Sequence, residues 1–316
     1  MGKPIFKYHT DLWVEKYRPA NFSEYITSSD LKEKFENFVK EQNIPHLLFE
    51  GPPGTGKSSC ANLLVKALDC DVKYINAAEN NGIDTVREEI MSYCVTSSFS
   101  KLKIIVLDEF SEFTPQGQLA LNAAMEQYSS HVRFILTCNA VENIIPKIRS
   151  RCQEFRILPP TEEQVKDRCI FILEKEGIDY EKDELEEIIR HNYPDIRKII
   201  QYLDQQSVGK VLKLDKEFFK LLKYEKNIVE LLKSTTSQNL YDNATTIRQM
   251  VADSRVKNFT SLYKYLFQKI DVYSKPNKVI PIIFKIQEGV KNDTLIADKE
   301  INLIATILRI METIVE

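Results

Sequence analysis

Along residues 44–155, short apolar runs alternate with stretches whose apolar positions recur at helical spacing. The runs at 46–50, 72–75, 104–107 and 133–137 carry few interior charges and are rich in Ile, Val, Leu and Phe, which predicts strands buried on both faces. Strands separated by helical patterns predict an α/β domain in which helices cover a parallel sheet. Beyond Leu158-Pro159-Pro160 the pattern is helical, with breaks at Asn192-Tyr193-Pro194 and in the polar stretch 234–239. The expected plan is an α/β domain over residues 1–157, a small helical domain over 158–225 and a second helical domain over 226–316. In the last segment Ile301, Leu303, Ile304, Ile307, Leu308, Ile310, Met311, Ile314 and Val315 surround most of a helix with apolar surface. That pattern suits either the core of its own domain or packing against a neighbouring subunit.

Composition narrows the partners. The 316 residues are 43% apolar, enough for two or three domains with their own cores, and 43 Lys and Arg nearly balance 46 Asp and Glu. A formal charge of -3 argues against a protein that coats nucleic acid non-specifically, so any such contact needs a local surface or a channel shared between subunits. The opening MGKPIFKYHT lacks the apolar centre of a secretory signal and no stretch approaches a membrane span, so a cytoplasmic location is expected. The six cysteines form no CxxC pair and the four histidines are scattered, which reads as reduced core thiols without a zinc site.

The chemistry begins at Gly51-Pro52-Pro53-Gly54-Thr55-Gly56-Lys57-Ser58, a full GxxxxGK[ST] match directly after a predicted strand and before the helical run 60–68. Its glycines let backbone N–H groups close around phosphate oxygens at a helix N-terminus, with Ser59 continuing the cradle. Lys57 is then expected on the terminal phosphates and Ser58 on Mg²⁺. The strand at 103–107 ends in Asp108-Glu109, where a nucleotide-binding sheet opens to its ligand. Asp108 is expected to hold the Mg²⁺ through water and Glu109 to polarise the attacking water. The following strand ends in Cys138-Asn139, beside the strand that carries Asp108, and Asn139 is placed to meet the γ-phosphate or the lytic water. Arg151, in Ser150-Arg151-Cys152, reads either as surface charge or as a group aimed at a neighbour's nucleotide.

Trp13-Val14-Glu15-Lys16-Tyr17-Arg18-Pro19, the P-loop, Asp108-Glu109, Thr137-Cys138-Asn139, Ser150-Arg151-Cys152 and Pro194-Asp195-Ile196-Arg197 occur in the order seen in replication factor C small subunits. Through these motifs, over about residues 13–200, the chain resembles AAA+ ATPase subunits of DNA sliding-clamp loaders; in length and in its short terminal domain it is most similar to the T-even-type phage subunit. The resemblance implies ATP as the nucleotide, with Val14, Glu15, Lys16, Tyr17 and Ile26 around the adenine. It makes Asn139 a sensor of the nucleotide, Arg197 a second sensor on the helical lid and Arg151 an arginine finger for the adjacent subunit. It implies DNA contacts at Ile83, Thr85, Arg87, Thr114 and Gln116, and a clamp contact in the segment with Tyr93 and Phe99, two aromatics that suit core packing equally well. Its partners would be other loader subunits in a pentameric hetero-oligomer, the sliding clamp and primer-template DNA, with ATP binding holding the clamp open and DNA triggering hydrolysis. The chain departs from the family pattern at Asn81 and Asn122, where basic residues are usual. Two rival readings are an AAA+ helicase or initiator, which usually adds a winged-helix domain, and a nucleotide-gated scaffold that does not hydrolyse, against which Glu109, Lys57 and Ser58 count.

Overall fold

Five parallel strands, β1 (Leu47–Glu50), β2 (Cys70–Asn76), β3 (Leu102–Asp108), β4 (Val132–Cys138) and β5 (Gln153–Arg156), lie side by side in the order β2-β3-β4-β1-β5. They are seen in a computed structural model that describes residues 12–98, 100, 102–213, 216–254 and 256–316. Alternate residues of the central strands feed two cores. Leu47, Phe49, Ile104, Val106 and Ile135 pack with Phe35, Leu63 and Leu64 on one face; Leu48, Ile105, Leu107, Phe134 and Leu136 pack with Val86, Ile90, Leu121 and Met125 on the other. Burial on both faces is why these strands read as continuous apolar runs, each large side chain contributing about 1.5–3 kcal/mol of transfer free energy.

The two outer strands differ from expectation. β2 is a sheet edge rather than a strand buried on both faces: only Ile75 is buried along it, and Tyr74 is 42% exposed. β5 was not signalled, because in Gln-Glu-Phe-Arg only Phe155 faces the core and three polar residues face outward. The helices of this unit are α1 (Trp13–Lys16), α2 (Ser29–Glu41), α3 (Lys57–Ala67), α4 (Met91–Val95), α5 (Pro115–Gln127), α6 (Pro146–Arg149), α7 (Glu162–Glu176), α8 (Lys182–Asn192) and α9 (Ile196–Gln206). A π-helical segment, Thr85–Ile90, runs directly into α4. Thr161 opens α7 with a reciprocal cap: its hydroxyl accepts from Gln164 N–H at 3.3 Å and its own N–H donates to Gln164 Oε1 at 3.0 Å. A short antiparallel pair, β6 (Ser207–Val208) with β7 (Val211–Leu212), closes the unit inside a region whose pattern reads as helical.

The chain divides into two compact units, ending at Leu212 and beginning at Lys213. The expected sheet-bearing and first helical domains therefore share one unit. The boundary expected at 225 falls inside the continuous α10 (Lys216–Lys233), whose Tyr224, Ile228, Val229 and Leu232 belong to the second unit's core. That unit continues with α11 (Leu240–Ser254), α12 (Thr260–Gln268), α13 (Ile270–Tyr273), α14 (Val279–Asp293) and α15 (Lys299–Val315). The break at 234–239 lies between α10 and α11. In α15, Leu303, Ile307, Ile310 and Met311 are buried in the unit's own core, while Ile301 remains 66% exposed. Among the described residues no helix is long and apolar enough to cross a membrane.

Candidate functional site

Because all five strands run the same way, β1, β3 and β4 end at one edge, and β4 lies between the other two. The segments that follow them carry the P-loop, Asp108-Glu109 and Asn139. Lys57, only 6% exposed, donates from Nζ to the carbonyls of Gly51 and Pro52 at 2.8 and 2.9 Å and to Asn139 Oδ1 at 2.7 Å. Burial pulls its pKa down, opposed by the carboxylates of Glu109 and Asp108, with the Arg197 guanidinium adding a smaller push in the same direction as burial. Asn139 Nδ2 in turn donates to Glu109 Oε2 at 2.7 Å. Ser58 Oγ donates to Asp108 at 2.9 Å, and Thr137 Oγ1 also donates to Asp108.

Glu109 has φ 55°, the left-handed region that non-glycine residues seldom occupy, at a cost of order 1 kcal/mol. Its N–H is held by Thr137 Oγ1 at 3.1 Å. Thr137 thus fixes both members of the acidic pair. Gly54, at φ 76°, lies against the lid: a Cβ there would stand 2.0 Å from the Asp195 carboxylate. Gly51 is equally confined, since a Cβ would meet the Ile157 carbonyl at 2.3 Å.

Above the P-loop a cleft is lined by Val14, Tyr17, Ile26, Pro53, Gly54, Thr55, Gly56, Lys57, Ser58, Ser59, Glu109 and Arg197, all expected there except that Glu109 and the loop were assigned to the phosphate end. Glu15 and Lys16 do not line it. Glu15 pairs with Arg18 at 2.7 Å and borders a second cavity with Gln201 and Asp204, while Lys16 is exposed and pairs with Glu176. The segment that carries them is tied to the lid: Trp13 N–H donates to Asp204 at 3.1 Å, Arg168 donates to the Tyr17 carbonyl at 2.9 Å, and Tyr17 OH donates to Glu176. Burial and the neighbouring carboxylate push the Tyr17 phenol up to about 12. Arg18, read only as part of the Trp13–Pro19 motif, and Pro160, read only as a break in the pattern, also line the cleft, as do Tyr25, Arg168 and Ile200, which sequence reasoning did not single out. Tyr25 supports the loop from below, donating to the Gly56 carbonyl at 3.3 Å. No motif spacing marks Tyr25, Arg168 or Ile200, because they reach the cleft through tertiary packing.

The five residues expected on DNA stand at two helix starts. Ile83 and Thr85 are half-buried and Arg87 exposed at one; Thr114 and Gln116 are exposed at the other. Thr114 caps α5, accepting from Gly117 N–H at 3.1 Å, and its own N–H donates to the Asn81 carbonyl at 3.0 Å, so the two starts are joined. Of the segment expected on the clamp, Tyr93 lies in α4 and Phe99 lies outside the described residues. Gln118, 2% exposed, was also missed: it donates to the carbonyls of Phe113 and Asn143 and accepts from Ile145 N–H at 2.9 Å, tying α5 to the start of α6. Arg151 does not line the cleft. It follows α6 and is held by Asn122 and Glu126 of α5.

Residues 47–160 match the family described as "ATPase family associated with various cellular activities (AAA)". The replication factor C small subunit of Archaeoglobus fulgidus is 40% identical over 214 residues, covering 65% of this chain and 67% of that protein. Human replication factor C subunit 5 is 34% identical over 209 residues, 63% of this chain and 62% of that one. These alignments span about two thirds of each relative. The small subunit of Staphylothermus marinus is matched almost throughout, 31% identical over 317 residues that cover 95% of this chain and 94% of that protein. Among solved structures, the RuvB Holliday junction branch migration motor of Thermotoga maritima aligns with TM-score 0.54 over 80% of this chain and 91% of that one, at 16% identity, a likeness of fold.

Proposed function

Since this chain belongs to the replication factor C small-subunit family, we propose that it is an ATP-hydrolysing subunit of a complex that loads a ring-shaped sliding clamp onto primer-template DNA. The observation that carries the reading is the convergence of Lys57, Ser58, Asp108, Glu109 and Asn139 from three strand ends beneath a cleft roofed by Arg197. Lys57 and Asn139 satisfy one another here. A triphosphate offers oxygens to the Lys57 ammonium and to Asn139 Nδ2, which here donates to Glu109, and so leaves the Glu109 carboxylate to accept the proton of an attacking water. The hydroxyl of Ser58 and the carboxylate of Asp108 form an all-oxygen donor pair that suits Mg²⁺, whose charge would offset that of the phosphates.

Val14, Tyr17 and Ile26 supply the apolar wall for the base, and the ties from Trp13 and Tyr17 to the lid make base binding and lid position interdependent. Arg197 reaches the phosphates from the N-terminal turn of α9. Arg151, outside its own cleft, serves the nucleotide of an adjacent subunit, so the isolated chain turns ATP over slowly. Thr114, Gln116, Thr85 and Arg87 meet the template backbone at the paired helix starts, contacts that read shape and need few lysines.

The test is phosphate release from ATP by the chain assembled with its partner subunits, with and without clamp and primer-template DNA. Stimulation by both, abolished in Glu109→Gln while nucleotide still binds, is the expected result. Turnover indifferent to clamp and DNA would overturn the loader reading; no turnover under any condition would overturn hydrolysis as well.

A further inference from the structure

Two arginines flank Ser150, and they are held differently. Arg149 is satisfied locally by both oxygens of Glu154, at 2.9 and 3.1 Å. Arg151 instead reaches across to α5, donating from Nε to Asn122 Oδ1 at 2.9 Å and from one terminal nitrogen to Glu126 Oε2 at 2.7 Å. Asn122 and Glu126 are one turn apart, on a helix face that also exposes Leu119 and Ala123. We propose that Asn122 and Glu126 are positioning residues for Arg151, gripping one edge of its guanidinium so that the other end is presented to the nucleotide of an adjacent subunit. The proposal deepens, and rests on, the reading of Arg151 as a group that acts in trans.

The guanidinium carries five N–H donors in a rigid planar fork. Two acceptors on the Nε side fix the plane and direction of that fork while leaving donors at the opposite end, whose second terminal nitrogen has no partner among the described residues. A phosphate oxygen needs donors at that end. The backbone beneath the side chain is fixed too: Arg151 N–H donates to the Ile148 carbonyl at 3.0 Å, and Gln118 anchors Ile145, just before α6, to the same helix that holds the guanidinium. Segment 145–151 is therefore tied to α5 at both ends. An exposed ion pair of this kind adds little to stability, so its consequence lies in orientation.

The departure at position 122 acquires a use in this arrangement. An arginine or lysine there has only donors to offer Arg151, whereas the amide of Asn122 accepts. Glu126 supplies the negative charge, and Arg149 does not compete for it because Glu154 already occupies that side chain.

The experiment uses the assembled complex with clamp and primer-template DNA, and compares Asn122→Ala with Glu126→Ala, the double variant, Arg151→Ala and the triple variant, after thermal unfolding has shown each chain folded. Glu126→Gln, which keeps an acceptor without the charge, is the conservative control. The double variant should lower stimulated turnover on the order of tenfold to a hundredfold, Glu126→Gln less, and neither change should lower turnover further once Arg151 is alanine. If Arg151→Ala is crippled while the double variant turns over fully, the positioning role is overturned and the trans reading stands. An equal fractional loss in the Arg151→Ala background also overturns it, since the two residues would then act by another route. Full activity of Arg151→Ala overturns the trans reading and this proposal together.

Discussion

Asn139 donates from Nδ2 to Glu109 Oε2 at 2.7 Å, and its other amide atom accepts from Lys57. The side chain proposed to sense the nucleotide is therefore also the one that restrains the proposed base. Replacement by alanine removes a positioned donor from the phosphate end and frees the Glu109 carboxylate, so stimulated turnover should fall by about 10²–10³. Asn139→Asp should be as slow, because it sets a second carboxylate against Glu109, and it should bind nucleotide more weakly than Asn139→Ala, because the new carboxylate repels the phosphates and competes with them for Lys57. Steady-state phosphate release and titration with a fluorescent ATP analogue separate the two effects. Parental turnover in Asn139→Ala would show that neither contact matters to the reaction.

Gly54 faces Asp195 so closely that a methyl group would lie 2.0 Å from its carboxylate oxygen, and its φ of 76° is strained for any L side chain. Gly54→Ala should push the P-loop off the lid and weaken nucleotide binding by at least tenfold, with a far smaller change in unfolding midpoint. Adding Asp195→Ala relieves the contact but not the backbone strain. It also removes the cap that accepts from Lys198 N–H at 3.1 Å, at about 1 kcal/mol to α9. Rescue should be partial. Undiminished affinity in Gly54→Ala would mean that the loop is looser than this geometry requires.

What could be read from the chain was whatever is local. The P-loop, Asp108-Glu109 and Asn139 sit at strand ends whose apolar runs announce them, and the structure brings these residues within hydrogen-bonding distance. β5 was not legible because an edge strand buries one side chain, Phe155, and shows no run. The limits of the second unit were not legible either, since α10 crosses the expected boundary without any change in its helical pattern. Tyr25, Arg168 and Gln118 act through contacts with residues far along the chain, and nothing in their neighbours' spacing marks them. Asn122 was visible as a departure, but its acceptor role needed the position of Arg151.

His46 gives the fold an acid sensitivity. Burial, aided by the positive charges of Arg133 and Arg151, lowers its pKa from 6.5 to about 4, and its Nδ1 accepts from Phe134 N–H at 3.1 Å, a bond that requires that nitrogen unprotonated. The unfolded chain takes up the proton first. Stability from this group is thus complete above pH 6.5, declines as pH falls toward about 4, and is lost below that. The loss at pH 5 relative to pH 7 should be about 2 kcal/mol. Denaturant unfolding of the parent and of His46→Phe at both pH values checks this; the variant should be less stable at pH 7 but lack that part of the slope.

Lys103 is 4% exposed at the N-terminal end of β3, and its ammonium donates to the Tyr93 carbonyl at 2.8 Å, to Thr96 Oγ1 at 2.9 Å and to the Thr96 carbonyl. It also lies 5.0 Å from the centre of the Tyr93 ring. The last carbonyls of a helix lack partners within it, and a cation there meets both their lone pairs and the negative end of the helix dipole. Lys103→Met keeps the stem but removes a donor from each of these groups. The Tyr93 carbonyl still accepts from Thr96 N–H at 3.3 Å and Thr96 Oγ1 at 2.8 Å, so the loss falls chiefly on the Thr96 carbonyl and the first unit should lose about 1–3 kcal/mol of stability. Nucleotide affinity should hardly move, since the phosphate end lies at the other end of the strand, about 16 Å away at strand rise. Because the same carbonyls fix the end of α4, where the family resemblance implies a clamp contact near Tyr93, stimulation by clamp should fall before intrinsic ATP binding does. Equal losses of both would place the effect in global unfolding rather than in the shape of that helix end.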